Sequence, residues 1–126
     1  MKRIISTPNA PAAIGPYSQA VEVKGTLYIS GQLPINPAGG KIEETDIVGQ
    51  THQVFKNISA ILEAAGYNLK DVVSNRVYLS DINSFAKMNE VYKQYFTSDF
   101  PTRAAFAVKE LPLGSLIEIE TVAVKD

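Results

Sequence analysis

The sequence predicts an α+β layer fold, and three observations carry that reading. Two stretches repeat apolar residues at helical spacing, residues 51–65 and residues 84–96. Five stretches rich in β-branched and aromatic residues alternate with them in the order β-β-α-β-α-β-β. The chain has 126 residues and is 45% hydrophobic, which suits one domain, 1–126, with its own core.

The elements follow in order. Pro8, Pro11 and Pro16 predict an extended arm, because proline cannot join a helix interior. Residues 21–23 and 26–30 flank Lys24-Gly25, a hairpin signal. Pro34, Pro37, Gly39 and Gly40 mark a loop. Thr51, Val54, Phe55, Ile58, Ile61, Leu62 and Ala65 fall on one helical face, and Gly66 supplies the stop. Residues 72–79 read as a strand. A second helix presents Phe85, Met88, Tyr92, Tyr95 and Phe96, with Asp81 or Asn83 as its cap. Strands over 103–108 and 116–124 complete the chain.

The last strand is apolar on both faces. Ile117, Ile119, Thr121 and Ala123 share one; Leu116, Glu118, Glu120, Val122 and Val124 share the other. Two helices cover one face of the sheet. The second face needs cover too, which predicts self-association. The alternative is a twisted sheet with one exposed face. Sheets of that kind alternate more cleanly, so the oligomer is favoured.

Composition narrows the function. Net charge is -1 and the basic residues are scattered, without the stripe that nucleic-acid binding requires. Cysteine is absent, which removes disulfides and thiolate metal sites and predicts a reducing, cytoplasmic setting. No apolar run approaches the ~18 residues of a membrane span, and Met1 to Ser6 lacks a signal peptide's apolar region.

Most catalytic devices are missing. His52 stands alone beside the apolar stripe, without H-x-x-H or H-E-x-x-H spacing, and reads as a boundary or solvent-facing residue. Ser30-Gly31 lacks the nucleophile elbow of serine hydrolases. Gly39-Gly40 reads as a turn, since no Lys-Ser/Thr helix start follows, and there is no dinucleotide fingerprint. Neither metal nor organic cofactor is expected.

Arg103 and Glu118 remain. Arg103 opens a strand after Phe100-Pro-Thr, and its guanidinium is a permanently charged fork that matches a carboxylate. Glu118 shares a strand face with Leu116, Val122 and Val124, where a carboxyl's pKa rises and proton transfer becomes accessible. Together they predict a small site for an anionic metabolite with an acid/base group beside the cation. The plain alternatives are a surface arginine paired with an acid and two solvated edge-strand glutamates. Glu118 and Glu120 lie one strand repeat apart, about 7 Å, which also fits a two-carboxylate glycosidase, but so short a chain offers little groove for a sugar. Tyr17, Ser30, Gly31 and Asn89 carry no signal individually, and Asn89 reads as solvent-facing.

Several motifs then stand together: Ala10-Pro-Ala-Ala-Ile-Gly-Pro-Tyr-Ser18, Ser30-Gly-Gln-Leu-Pro34, Pro101-Thr-Arg103, and Leu116-Ile-Glu-Ile-Glu120. In this order and spacing, over nearly the whole length, the chain resembles the Rid family of reactive intermediate deaminases, the YjgF group, and within it the RidA branch. The resemblance implies a chorismate-mutase-like fold and a homotrimer with sites in the clefts between subunits. It implies hydrolysis of 2-imino acids, such as 2-iminobutanoate and 2-iminopropanoate, to 2-keto acids and ammonia, with no cofactor. Arg103 would hold the substrate carboxylate, and Glu118 would orient or deprotonate the attacking water. Tyr17, Ser30, Gly31, Asn89 and Ala105 would bind substrate, Gly31 and Ala105 through their backbones.

One position departs from the family pattern. RidA proteins commonly carry Arg-Ser-Cys-Val-Glu-Val where this chain has Arg103-Ala-Ala-Phe-Ala-Val108, so Ala105 replaces a cysteine. Thiol chemistry is thereby put in doubt, and the Arg103/Glu118 pair is untouched. Two other classes compete. A binding module for keto or imino acids would use the same arginine, but gains nothing from a nearby negative charge. A ribonuclease or translation inhibitor, a label also attached to this family, fits the near-neutral charge and single histidine poorly.

Overall fold

The computed structural model describes residues 1–126. The elements run β1 (Arg3–Ile5), β2 (Ala20–Val23), β3 (Thr26–Gln32), β4 (Ile35–Asn36), β5 (Lys41–Ile42), α1 (Ile47–Ala65), β6 (Val72–Leu79), α2 (Phe85–Tyr95), β7 (Thr102–Ala107) and β8 (Ile117–Val124). Six strands form one sheet in the order β1-β2-β3-β8-β6-β7. Only β6 and β7 run parallel, so the sheet is mixed. Both helices lie on one face: α1 packs on β3 and β8, and α2 packs beside α1. The α+β architecture expected from the sequence is the one observed.

The helix stripe is the source of the core. Thr51, Val54, Phe55, Ile58, Ile61, Leu62 and Ala65 are all buried. All but Thr51 join Ile117, Ile119 and Ala123 of β8, also buried, in one cluster of 22 residues that serves the whole chain. Asp46 caps α1 by accepting from the Gly49 N–H, and Gly66 closes it in the left-handed conformation at φ 84°. Asp81 caps the 3₁₀ turn, Ile82–Ser84, that leads into α2, and the helix's own Ser84 makes no side-chain cap.

Three short strands were not expected. β1 interrupts the opening arm and pairs with β2, where Arg3 lies opposite Glu22. The two side chains bond at 2.8 Å, and Arg3 also donates to the Ala65 carbonyl at the end of α1. β4 and β5 form a separate two-stranded ribbon inside the proline-glycine loop. The Asn57 amide donates to the carbonyls of Leu33 and Ile35 and ties that ribbon to α1.

β7 is a sheet edge. Five of its six residues are exposed, with Ala105 half-buried. Its backbone pairs with β6 on one side only. The sheet face away from the helices also carries uncovered apolar groups: Tyr28, Phe106 and Val124 are each more than 40% exposed. No helix is long and apolar enough to cross a membrane.

Candidate active site

Arg103 is held before any ligand arrives. On β7 it pairs in register with Asn75 of β6, whose side chain is buried against α2. Arg103 therefore rises on the helix face. Its Nη1 donates to Asn89 Oδ1 at 2.7 Å. Its Cζ sits 4.7 Å from the Tyr92 ring centre and 5.3 Å from that of Phe85. Phe85, Asn89 and Tyr92 lie at positions i, i+4 and i+7 of α2, one helical face. No carboxylate pairs with Arg103: the ion pairs in the chain are Arg3–Glu22 and Lys93–Glu90. A stacked, neutral-partnered guanidinium keeps donors free for an anion. Arg103 opens onto a cleft of about 360 Å³ walled by Asn89, Tyr92, Phe100 and Pro101.

Glu118 lies elsewhere. On β8 it pairs with Tyr78 of β6, on the face away from the helices. Its cleft, about 410 Å³, includes Gly31, Tyr78, Glu110, Pro112 and Glu120. Burial, with the charge of Glu120 as the lesser cause, pushes the Glu118 carboxyl above the usual carboxylate range. Glu120 accepts from the Tyr78 hydroxyl at 2.7 Å, and that bond, more than burial, raises the Tyr78 pKa. The Glu118 carboxylate has no hydrogen-bond partner in the chain, so it faces the cleft uncommitted.

Tyr17 belongs with Glu118. It lines an adjoining cleft of about 270 Å³ with Ile14, Leu33 and Leu113, and the two clefts share Gly31 and Pro112. The arm carrying Tyr17 is clamped by the buried Gln19 amide, which donates to the carbonyls of Thr7, Ala10 and Pro11. The Ser30 hydroxyl is spent on the Ser18 carbonyl at 2.6 Å, holding arm to sheet.

The expected residues thus fall into two groups. Tyr17, Ser30, Gly31 and Glu118 gather on one side of the chain; Asn89, Arg103 and Ala105 gather on the other. Ala105 pairs with Val77, sharing Arg103's face and leaving its backbone on the free edge of β7. Within one chain the structure does not bring Arg103 and Glu118 together. The lone His52 bonds through Nδ1 to the Tyr95 hydroxyl at 2.7 Å and is half-buried, as a boundary residue. It lines neither the Arg103 nor the Glu118 cleft.

The sequence matches the family described as Endoribonuclease L-PSP over residues 7–125. The chain belongs to that family. It is the Rid, or YjgF, group that its motifs resemble. This Rid chain is 56% identical over 126 residues to a RutC family protein of Pyrococcus horikoshii, covering 100% of both. It is 54% identical over 125 residues to the 2-iminobutanoate/2-iminopropanoate deaminase of Capra hircus, covering 99% of this chain and 91% of the relative. The crystal structure of E. coli TdcF with bound serine matches it with a TM-score of 0.94 at 40% identity, covering 98% of this chain and 99% of TdcF.

Sequence reasoning missed the two rings beside the Rid chain's Arg103 guanidinium, Phe85 and Tyr92. Both were read as core, and Tyr92 is core as well, only 6% exposed. The available signal was their alignment with Asn89 on one helical face.

Proposed function

We propose that this protein hydrolyses reactive 2-imino acids to 2-keto acids and ammonia, without a cofactor, at sites formed between copies in a homotrimer. The observation that carries the reading is the free, pre-oriented guanidinium of Arg103. The names of relatives such as the goat deaminase supply the substrate class, with 2-iminobutanoate and 2-iminopropanoate as its members.

A single chain separates its cation from its acid, and a second copy reunites them. The β7 edge of one copy, with Arg103 and the Ala105 backbone, would lie against the Tyr17, Gly31 and Glu118 side of the next. The unpaired β7 edge and the uncovered apolar sheet face support that assembly. A cyclic arrangement repeats the junction identically around the ring.

The chemistry follows from the parts. Arg103 binds the substrate carboxylate through its fork. Glu118, poised by its raised pKa, takes a proton from water as the oxygen attacks the imine carbon. A carbinolamine forms. Glu118 passes that proton to nitrogen; as the C–N bond breaks, the hydroxyl proton returns to Glu118, the C=O bond forms, and ammonia leaves a 2-keto acid. A protonated imine is already electrophilic, so positioning and one acid/base group suffice. Ala105 removes any thiol from this scheme. The family description names a ribonuclease, but the basic residues are scattered and His52 is engaged away from the clefts.

The test is competition with a trap. Threonine dehydratase generates the imine, semicarbazide captures it, and the protein is added. The expected result is less semicarbazone and faster 2-keto acid release. Unchanged trapping together with measurable 2-keto acid binding would establish the second reading, a non-catalytic binding module, which the serine bound to TdcF favours.

A further inference from the structure

We propose that Thr121, Asn75 and Tyr92 are positioning residues, a buried polar line that sets the Arg103 guanidinium. The proposal rests on the reading above only for the identity of the anion that Arg103 binds.

The line starts in the sheet. Thr121 of β8, Asn75 of β6 and Arg103 of β7 are register partners in one row across the helix face. The next rows along that face are apolar: Val77 sits between Ile119 and Ala105, and Leu79 between Ile117 and Ala107. Polar side chains therefore enter this part of the core at the row that ends in the arginine. Asn75 is 0% exposed and Thr121 1%. The Thr121 hydroxyl donates to Asn75 Oδ1 at 2.7 Å, and Asn75 Nδ2 donates to the Tyr92 hydroxyl at 3.0 Å. Tyr92 presents its ring to the guanidinium.

The line fixes the ring at both ends. The hydroxyl is tethered through Asn75 to the central strand. The ring body is wedged by Phe55, edge-on at 5.7 Å, and by Phe96 at 4.9 Å. The platform under Arg103 then has one position, and Asn89 fixes the fork's rotation over it. Packing alone does not require this arrangement, since apolar residues of the same shape would hold the sheet equally well. What the polar line adds is direction, because a buried hydrogen bond admits few geometries.

Thr121→Val tests it, with Thr121→Ser as the conservative control. Valine keeps the shape and breaks the line at its origin; serine keeps the hydroxyl. Tyr92→Phe is the second variant: it keeps the ring and its apolar packing, and carries the test if the valine variant fails to fold. Two readouts apply. NMR follows the Arg103 side-chain resonances, which lie in the ring current of Tyr92. Calorimetry follows the affinity for 2-ketobutanoate. Thr121→Val and Tyr92→Phe are expected to move the resonances toward those of a free arginine and to weaken binding roughly three- to tenfold, with Thr121→Ser close to wild type. In a wild type that binds 2-ketobutanoate, an affinity unchanged within about twofold overturns the proposal, whatever the resonances do. A wild type that binds no 2-keto acid sinks the imino-acid reading instead. The resonances then decide the positioning line alone, and unmoved resonances overturn it.

Discussion

Gly31 and Glu118 occupy one volume between β3 and β8. A Cβ on Gly31 would collide with Oε2 of Glu118 and stand 3.0 Å from its Cδ. The two meet where the β3–β8 register shifts between Ile29 and Gln32. Glycine at this position lets the carboxylate fold across the neighbouring strand and into the cleft. The family motif Ser30-Gly-Gln thus has a steric reason as well as a backbone one.

Gly31→Ala is therefore expected to push Glu118 aside. Misplacing a reacting group by about 1 Å costs on the order of 10²-fold in turnover. The trap-competition rate should fall by that order while the thermal transition stays cooperative. Full activity in the alanine variant contradicts the close-contact account.

Arg103→Lys should be nearly as harmful as Arg103→Ala. Lysine keeps the charge, but it loses the planar fork, the stack on Tyr92 and the fixed bond to Asn89. Both variants are expected to lose ~10²-fold or more in kcat/KM, with circular dichroism unchanged. Steady-state kinetics in the coupled assay check this, and a fully active lysine variant rules out the bidentate contact.

Glu118 links the site to stability, with a definite sign. Its folded pKa is raised, so its stabilising contribution is complete below the ordinary carboxylate value of 4.5 and is lost as pH rises through the raised value. Glutamine cannot ionise and escapes that loss. Glu118→Gln should melt higher than wild type near pH ~7, and the margin should close as pH is lowered toward ~4. Turnover has the opposite dependence, because the base must be ionised: wild-type kcat should rise with pH through the same raised value. Thermal scans and a pH–rate profile measure both. A melting margin that grows at acid pH contradicts the assigned environment.

Much of this architecture was legible in the sequence because it is local. The α1 stripe, its Gly66 stop and the span of β6 follow from spacing and residue type. β1 escaped because three residues carry no periodicity; its support comes from Glu22 and from the Ala65 carbonyl, distant along the chain. β4 and β5 are too short to outweigh the prolines and glycines around them. Arg103 and Glu118 were both recognisable as candidates, yet their placement on opposite faces was not. That depends on register: Arg103 pairs with Asn75 and Glu118 with Tyr78, three residues apart on β6, and register is set by long-range pairing. Tyr92 was hidden for another reason. Its apolar ring suits the core, and its role appears only when Arg103 is seen stacked upon it.

The central claim is that the Arg103 of one copy works with the Glu118 of another. Subunit mixing tests it most directly. Arg103→Ala and Glu118→Gln chains, each inactive alone, are unfolded together in equal amounts, refolded and assayed for imine hydrolysis against the semicarbazide trap. Every mixed ring contains one junction where an intact Arg103 meets an intact Glu118. Random assembly should therefore restore roughly a quarter of wild-type activity. Activity no higher than that of the separate variants, in rings shown by mass spectrometry to be mixed, would contradict the shared site.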